Sequence, residues 1–265
     1  MKHALSDDFV LIQISDTHLM AQATSDFVNV NPEQSFLAVL EDIQARYPHA
    51  HALLHTGDLA QEAVTSTYAR YLNQIEQLAM PSFQVPGNHD DIRFFPFYQQ
   101  QNTAHVIDFN SWSLVLLNSA VPHQVDGWVN EDQLQQLDAL LSARPEQHIV
   151  LGCHHHPFAM QSNWIDQHKL KNSQALTDVL ARHSNVKVVL FGHVHQESWH
   201  QWQGIEFFST PSTCVQFKPK SEDFALGKEA PGYRVLHLKH DGSFSTEVHR
   251  LTHLQQNINV EISGY

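Results

Sequence analysis

The chain alternates short apolar runs with longer amphipathic stretches. Residues 9–14 form an apolar run ending in Ser15-Asp16, as expected for a buried strand whose carboxyl end opens into a loop. A helix is predicted over 32–47, with Asn31 as N-cap, Pro32 in the first turn, and Phe36, Leu40, Ile43 and Tyr47 on one face before Pro48 stops it. Residues 52–55 read as a second strand, 65–78 as a helix and 82–85 as a third strand. The alternation continues with a strand at 112–117 and a helix at 130–141 capped by Asn130, then buried strands at 148–152 and 186–191 around a helix at 174–183. Past Gly192 apolar and polar residues alternate over 197–202, 205–209, 233–239 and 244–251, and Asp241-Gly242 marks a hairpin between the last two. Repeated βα units followed by an antiparallel part from about 193 to 253 place the chain in the α/β (α+β) class with a layered sheet. No linker, repeat or low-complexity segment interrupts it, so residues 1–265 are expected to form one domain, with 219–231 the most loop-like stretch.

Composition narrows the function. With 15 Lys+Arg against 28 Asp+Glu, the formal charge of −13 opposes a nucleic acid polymer as partner. No apolar run approaches the ~20 residues of a membrane span, and the acidic first eight residues do not read as a secretory signal, so a cytoplasmic protein without a membrane partner is expected. Two cysteines, Cys153 and Cys214, make no disulfide framework and suit a reducing compartment. Histidine, at 21 residues, is the excess, and it points to metal or proton chemistry without locating it.

Location comes from five short patterns at the ends of predicted strands. They are Asp16-Thr17-His18, Gly57-Asp58, Gly87-Asn88-His89-Asp90, His154-His155-His156-Pro157 and Gly192-His193-Val194-His195. Loops at the carboxyl ends of strands line the ligand crevice of an open α/β sheet, so the five can converge. Asp, Asn and His together suit Mn, Fe or Zn better than Mg, and no cysteine-rich structural zinc set is present. The i, i+2 pairs Asp16/His18 and His193/His195 point the same way on a strand, and one carboxylate can bridge two cations about 4 Å apart. Each pattern alone is commonplace in turns and strands. All five in this order, each after an apolar strand, are not.

These motifs resemble those of the calcineurin-like metallophosphoesterases, and the resemblance covers nearly the whole chain. Trp164-Ile165-Asp166-Gln167-His168, the run from Pro211 to Pro219, Glu247-Val248-His249-Arg250-Leu251 and terminal Gly264-Tyr265 are further similar to the bacterial class III 3′,5′-cyclic AMP phosphodiesterases. The resemblance implies a four-layer α/β/β/α sandwich of two packed mixed sheets flanked by helices. It implies two metal ions per subunit, iron and manganese first and zinc as the alternative. Asp16, His18 and His195 would hold one, Asn88, His154 and His193 the other, and Asp58 would bridge them; the choice of His154 over His155 follows the family's placement of its ligand at the strand end. His89 is expected as a catalytic residue facing phosphate, with Asp90 orienting it, and His18, Asp58, Asn88 and His89 are expected to meet the substrate.

The implied reaction is hydrolysis of 3′,5′-cyclic AMP to 5′-AMP by a metal-bridging hydroxide, with His89 protonating the leaving 3′-oxygen. Two divalent ions against Asp16 and Asp58 leave a local charge of about +2, so a negative exterior is compatible with a small anionic substrate. The alternatives are a broad metallophosphoesterase acting on 2′,3′-cyclic nucleotides or phosphomonoesters, and a non-catalytic metal-binding protein. Leu59-Ala60 after Asp58, in place of Arg-Gly, counts against the protein-phosphatase branch. Trp164, Phe158, Phe217 and His123 are candidates for the wall of a base pocket, and 211–219 for a flap over the site or a homodimer contact.

Overall fold

The first apolar run forms strand β1 (Phe9–Ile14), followed by α1 (Pro32–Arg46), β2 (Ala52–His55), α2 (Thr65–Ile75) and β3 (Ser82–Gln84). Then come β4 (His105–Phe109), β5 (Trp112–Leu116), α3 (Glu131–Ser142), β6 (His148–Gly152), the single turn α4 (Asn163–Asp166), α5 (Ser173–Leu180) and β7 (Val186–Phe191). Two hairpins close the order, β8 (Ser198–Trp202) with β9 (Ile205–Ser209), and β10 (Gly232–Leu238) with β11 (Phe244–Arg250). The computed structural model describes residues 8–96 and 103–264, which leaves most of the acidic N-terminal stretch and Tyr265 outside the described residues. Local signals account for the helix starts. Asn31 accepts the Gln34 N–H ahead of α1, and Asn130 accepts the Gln133 N–H ahead of α3.

The strands assemble into two mixed sheets, β11-β10-β1-β2-β3 and β4-β5-β6-β7-β9-β8. Neighbouring residues on each central strand serve different layers. Leu11, Leu54, Val150, Val188 and Leu190 meet between the sheets, in a core made only of strand residues and Val85 just beyond β3. Ile12 and Leu53 face the other way, onto Phe36, Val39 and Ile43 of α1 and Tyr68, Tyr71 and Ile75 of α2. Ile149, Leu151, Val189 and Phe191 pack on Leu134, Leu137 and Leu141 of α3 and Leu176 and Leu180 of α5. Apolar side chains on both faces of one strand explain the unbroken runs in the sequence, and the result is the four-layer α/β/β/α sandwich.

Two features depart from the pattern reading. Strand β4, half-buried at a sheet edge, was not anticipated; it turns back antiparallel onto β5 through Asn110, whose φ is +47°. The C-terminal strands are also divided between the sheets. β10 and β11 extend the first sheet antiparallel to β1, whereas β9 runs parallel to β7 in the second. The reason lies in burial: β9 is mostly buried and takes the inner position, and the more exposed β8 is left at the edge. The Asp241-Gly242 turn forms as expected, with the Asp241 carboxylate accepting the Ser243 N–H at 2.9 Å and Gly242 at φ +83°.

Candidate metal centre

All five motifs open from the carboxyl ends of parallel strands, the first three from β1, β2 and β3, the last two from β6 and β7. Backbone hydrogen bonds tie the loops together: Asp16 N–H to Gly57 O at 2.9 Å, His18 N–H to Asp58 O at 3.0 Å, and Gly192 N–H to His154 O at 3.0 Å. Asp16, His18, Asp58, His193 and His195 all adopt left-handed backbone, with φ between 46° and 70°. Non-glycine residues rarely adopt this conformation and do so at a cost of order 1–3 kcal/mol each, so its concentration on five expected ligands marks a functional constraint.

The side chains converge as two overlapping groups. Nε2 of His18 and Nε2 of His195 lie 3.1 Å apart, and Nε2 of His195 is 3.3 Å from an Asp16 carboxylate oxygen. Nε2 of His154 lies 3.1 Å from Asn88 Oδ1 and 3.4 Å from Asp58 Oδ2, which is itself 3.8 Å from Nε2 of His18. One oxygen of Asp58 therefore faces both groups. Its other oxygen accepts the His89 N–H at 2.8 Å.

The second nitrogens explain why these separations call for cations. His18 Nδ1 is held by Gln61 Oε1 at 2.8 Å and His195 Nδ1 by Val215 O at 2.8 Å, so each Nδ1 carries the proton and each Nε2 presents a lone pair. Two lone pairs 3.1 Å apart cannot bond to each other. They have the spacing of two donors around one ion at ~2.0–2.1 Å, about 3 Å. His154 Nδ1 likewise donates to Thr56 O at 2.7 Å, leaving its Nε2 against two acceptor oxygens. Nε2 of His193 is buried with no hydrogen-bond partner among the described residues. This donor set fits a pair of metal ions.

Electrostatics agrees. Burial alone would raise both carboxylates, but neighbouring imidazoles outweigh it, His195 at Asp16 and His154 foremost at Asp58, and both sit below the usual carboxylate range. Burial pushes His18 down to about 3 despite Asp58, and drives His193 well down with its neighbouring histidines adding to the effect. At His154 burial is overcome by Asp58, and the ring is raised to about 9. Two buried carboxylates thus draw positive charge into the cluster, and neutral imidazoles stand ready as ligands.

His155, next to the expected ligand His154, is engaged by other protein groups. Both its ring nitrogens are engaged, Nδ1 with Ser119 Oγ at 2.8 Å and Nε2 with Val125 O at 3.0 Å, although it lies close enough to His154 and His193 to be grouped with them. His156 pairs with Asp166 at 3.4 Å and stacks on the His193 ring. Cys153 is fully buried and its thiol is pushed up to about 12 by burial, so it has no nucleophilic character.

His89 stands beside the cluster, half-buried, its ring centroid 4.9 Å from that of His18. Asp90, expected to orient His89, is engaged by the loops around it. Its carboxylate accepts the N–H groups of Gly87 at 2.9 Å, Leu59 at 3.2 Å and Ala60 at 3.3 Å and the Tyr68 hydroxyl at 3.0 Å. It clamps the Asn88 loop onto the Asp58 loop. Close approach also fixes Gly87, where an added Cβ would fall 2.1 Å from Asp58 Oδ1. Gly87→Ala is expected to displace that carboxylate and lower kcat/KM roughly 10²-fold. Metal analysis beside the kinetics checks it; unchanged values would mean the loop yields instead.

Two cavities flank Asn88 and His89. One of about 330 Å³ is lined by His18, Asp58, His193 and His195 together with Trp164, Phe217 and Phe224. The other, about 510 Å³, runs along Gly87 to Arg93 and includes Asn118 and His123. Of the four base-wall candidates, Trp164 and Phe217 reach the first and His123 the second. Phe158 reaches neither; it packs on His200 and Phe207, with centroids at 4.2 and 4.9 Å.

A model of the calcineurin-like phosphoesterases matches residues 9–197. The chain belongs to this family. Across 265 aligned residues it is 40% identical to the 3′,5′-cyclic adenosine monophosphate phosphodiesterase CpdA of Escherichia coli K12, covering 96% of this chain and 94% of that one. The CpdA of Haemophilus influenzae is 37% identical over 259 residues, with 96% and 94% covered. Among solved structures, a dimetal phosphatase from Danio rerio superposes with a TM-score of 0.61 at 15% identity, covering 90% of this chain and 98% of that one. A purple acid phosphatase from yellow lupin gives 0.71 at 14%, covering 96% and 53%. At these identities the two structures show a shared fold. No described helix is long and apolar enough to cross a membrane.

In this phosphoesterase residues 211–217 of the 211–219 segment are buried, and 218 and 219 are exposed. The buried residues lie beneath the ligand loops: Ser212 Oγ donates to Asp16 O at 2.7 Å, Thr213 N–H to Ser15 O at 3.0 Å, and Val215 O holds His195. His55 is a second supporting residue absent from the sequence reading. Its Nδ1 accepts the Gly57 N–H at 3.2 Å, so its Nε2 carries the proton to Thr17 Oγ1 at 2.6 Å. Its place three residues before Asp58, at the buried end of a strand, was the available signal.

Proposed function

We propose that this phosphoesterase is a dinuclear metal-dependent hydrolase that converts 3′,5′-cyclic AMP to 5′-AMP. Kinship along nearly the full length of CpdA phosphodiesterases supports the substrate. The observation that carries the chemistry is the buried pair of Nε2 atoms, of His18 and His154, on either side of one Asp58 oxygen. Asp16, His18 and His195 would hold one ion and Asn88, His154 and His193 the other, with Asp58 shared and iron or manganese the favoured metals. When bound, the metals supply positive charge to the phosphoryl oxygens and make water acidic enough to act as nucleophile near neutral pH.

The chain's own groups do the rest. Asn88 and His89 face both cavities and so meet the phosphodiester wherever its two substituents lie. Water adds at phosphorus, the P–O3′ bond breaks, and His89 gives the departing 3′-oxygen its proton. Asp90 holds the loop carrying both residues. All seven expected donors come from one chain, so a second copy is not needed to complete the site, whether or not the protein forms a homodimer.

The test is product analysis with manganese- or iron-loaded protein on 3′,5′-cyclic AMP, 2′,3′-cyclic AMP and a phosphomonoester. We expect 5′-AMP from the first as the preferred reaction, abolished by a chelator and restored by metal. Turnover confined to monoesters would overturn the reading.

A further inference from the structure

We propose that the aromatic cavity beside the metal centre is a purine site, with Trp164 its specificity-determining residue. The inference rests on the cyclic-nucleotide reading and deepens it. Of the two cavities meeting at Asn88 and His89, the larger carries Arg93, already paired with Asp91 at 2.5 Å. The smaller is lined by no Lys or Arg and is walled by Trp164, Phe217 and Phe224. A neutral, flat heterocycle fits the second by stacking, and a second anionic group does not.

The wall is built rather than incidental. Phe217 lies parallel on the His195 imidazole, centroids 3.9 Å apart and planes within 7°, which fixes it relative to the metal ligands. Trp164 meets Phe217 edge-on at 4.8 Å and Phe224 at 5.0 Å. Its indole N–H is buried without a hydrogen-bond partner among the described residues. Buried indoles ordinarily find an acceptor, and an orphan donor on a residue lining a substrate cavity needs an explanation. A purine supplies both what the wall and the donor lack, a π-face and ring-nitrogen acceptors. A bare phosphate ester offers acceptor oxygens but no π-face.

Calorimetric affinities for 5′-AMP and for ribose 5-phosphate, which keeps the phosphate and lacks the base, test this on the metal-loaded protein. The wild type is expected to bind 5′-AMP at least about tenfold more tightly than ribose 5-phosphate. Trp164→Leu should lose about tenfold for 5′-AMP by removing the stack, and Trp164→Phe about threefold by removing only the donor. Phe224→Leu gives an independent reading of the same wall; Phe217 is unsuitable because of its contact with His195. The proposal is overturned if the wild type binds the two ligands equally, if the Trp164 variants change neither, or if they weaken both in parallel. A wild type that prefers 5′-AMP but does not hydrolyse 3′,5′-cyclic AMP supports the purine site while refuting the catalytic reading.

Discussion

Asp58→Ala is expected to lose both metal ions together and to lower phosphodiesterase activity by at least about 10³-fold, the scale of removing a principal electrostatic stabiliser from a buried site. The expectation follows from one atom: Asp58 Oδ2 lies 3.8 Å from Nε2 of His18 and 3.4 Å from Nε2 of His154, and so stands between the two groups. Asn88→Ala is the contrasting case. Asn88 Oδ1 lies 3.1 Å from Nε2 of His154, and its loss should empty one position and spare the other. Metal counts per chain read both outcomes directly. Thermal melting adds a second readout, because ions that bind only the folded state raise the melting temperature by mass action. That metal-dependent rise should vanish in Asp58→Ala and shrink in Asn88→Ala. Two ions retained after loss of Asp58 would refute the shared-carboxylate assignment.

How much of this was legible in the sequence follows from which interactions are local. The central strands β1, β2, β6 and β7 read clearly because both faces of each are buried, and their carboxyl ends carried the motifs that the fold gathers. Strand β4 was hidden because His105 and Asp108 break its apolar character and its turn lacks the glycine that marks a hairpin. The pairing of β9 with β7 could not be read from either strand, since register and neighbour order are set by which strand is best buried. The ligands were visible as side chains, but the groups orienting them were not. Thr56 O and Val215 O are backbone atoms, and the Val215 carbonyl lies 20 residues from the His195 it holds. His154 and His155 are identical as residue types. Only hydrogen bonding to Ser119 and Val125 separates the neighbour from the ligand candidate.

His89→Ala should keep both metal ions and yet lose about 10²- to 10⁴-fold on 3′,5′-cyclic AMP, the range for removal of a positioned proton donor. Its backbone N–H already bonds Asp58 Oδ1, and this bond survives the substitution, so the loop and the metal positions should persist. What disappears is the ring, which lies beside His18 and lines both cavities at the metal centre. If its role is to protonate a leaving alkoxide, the loss must depend on that alkoxide. The 3′-oxygen of ribose leaves poorly as an anion, whereas a nitrophenolate leaves without help, so bis(p-nitrophenyl) phosphate should lose far less activity than 3′,5′-cyclic AMP. A residue that only held the phosphate would produce equal losses on both substrates. Parallel kinetics with the two esters, together with metal counts on the same preparation, separates the roles; equal losses with metals intact would remove His89 as the acid and leave it as a phosphate ligand.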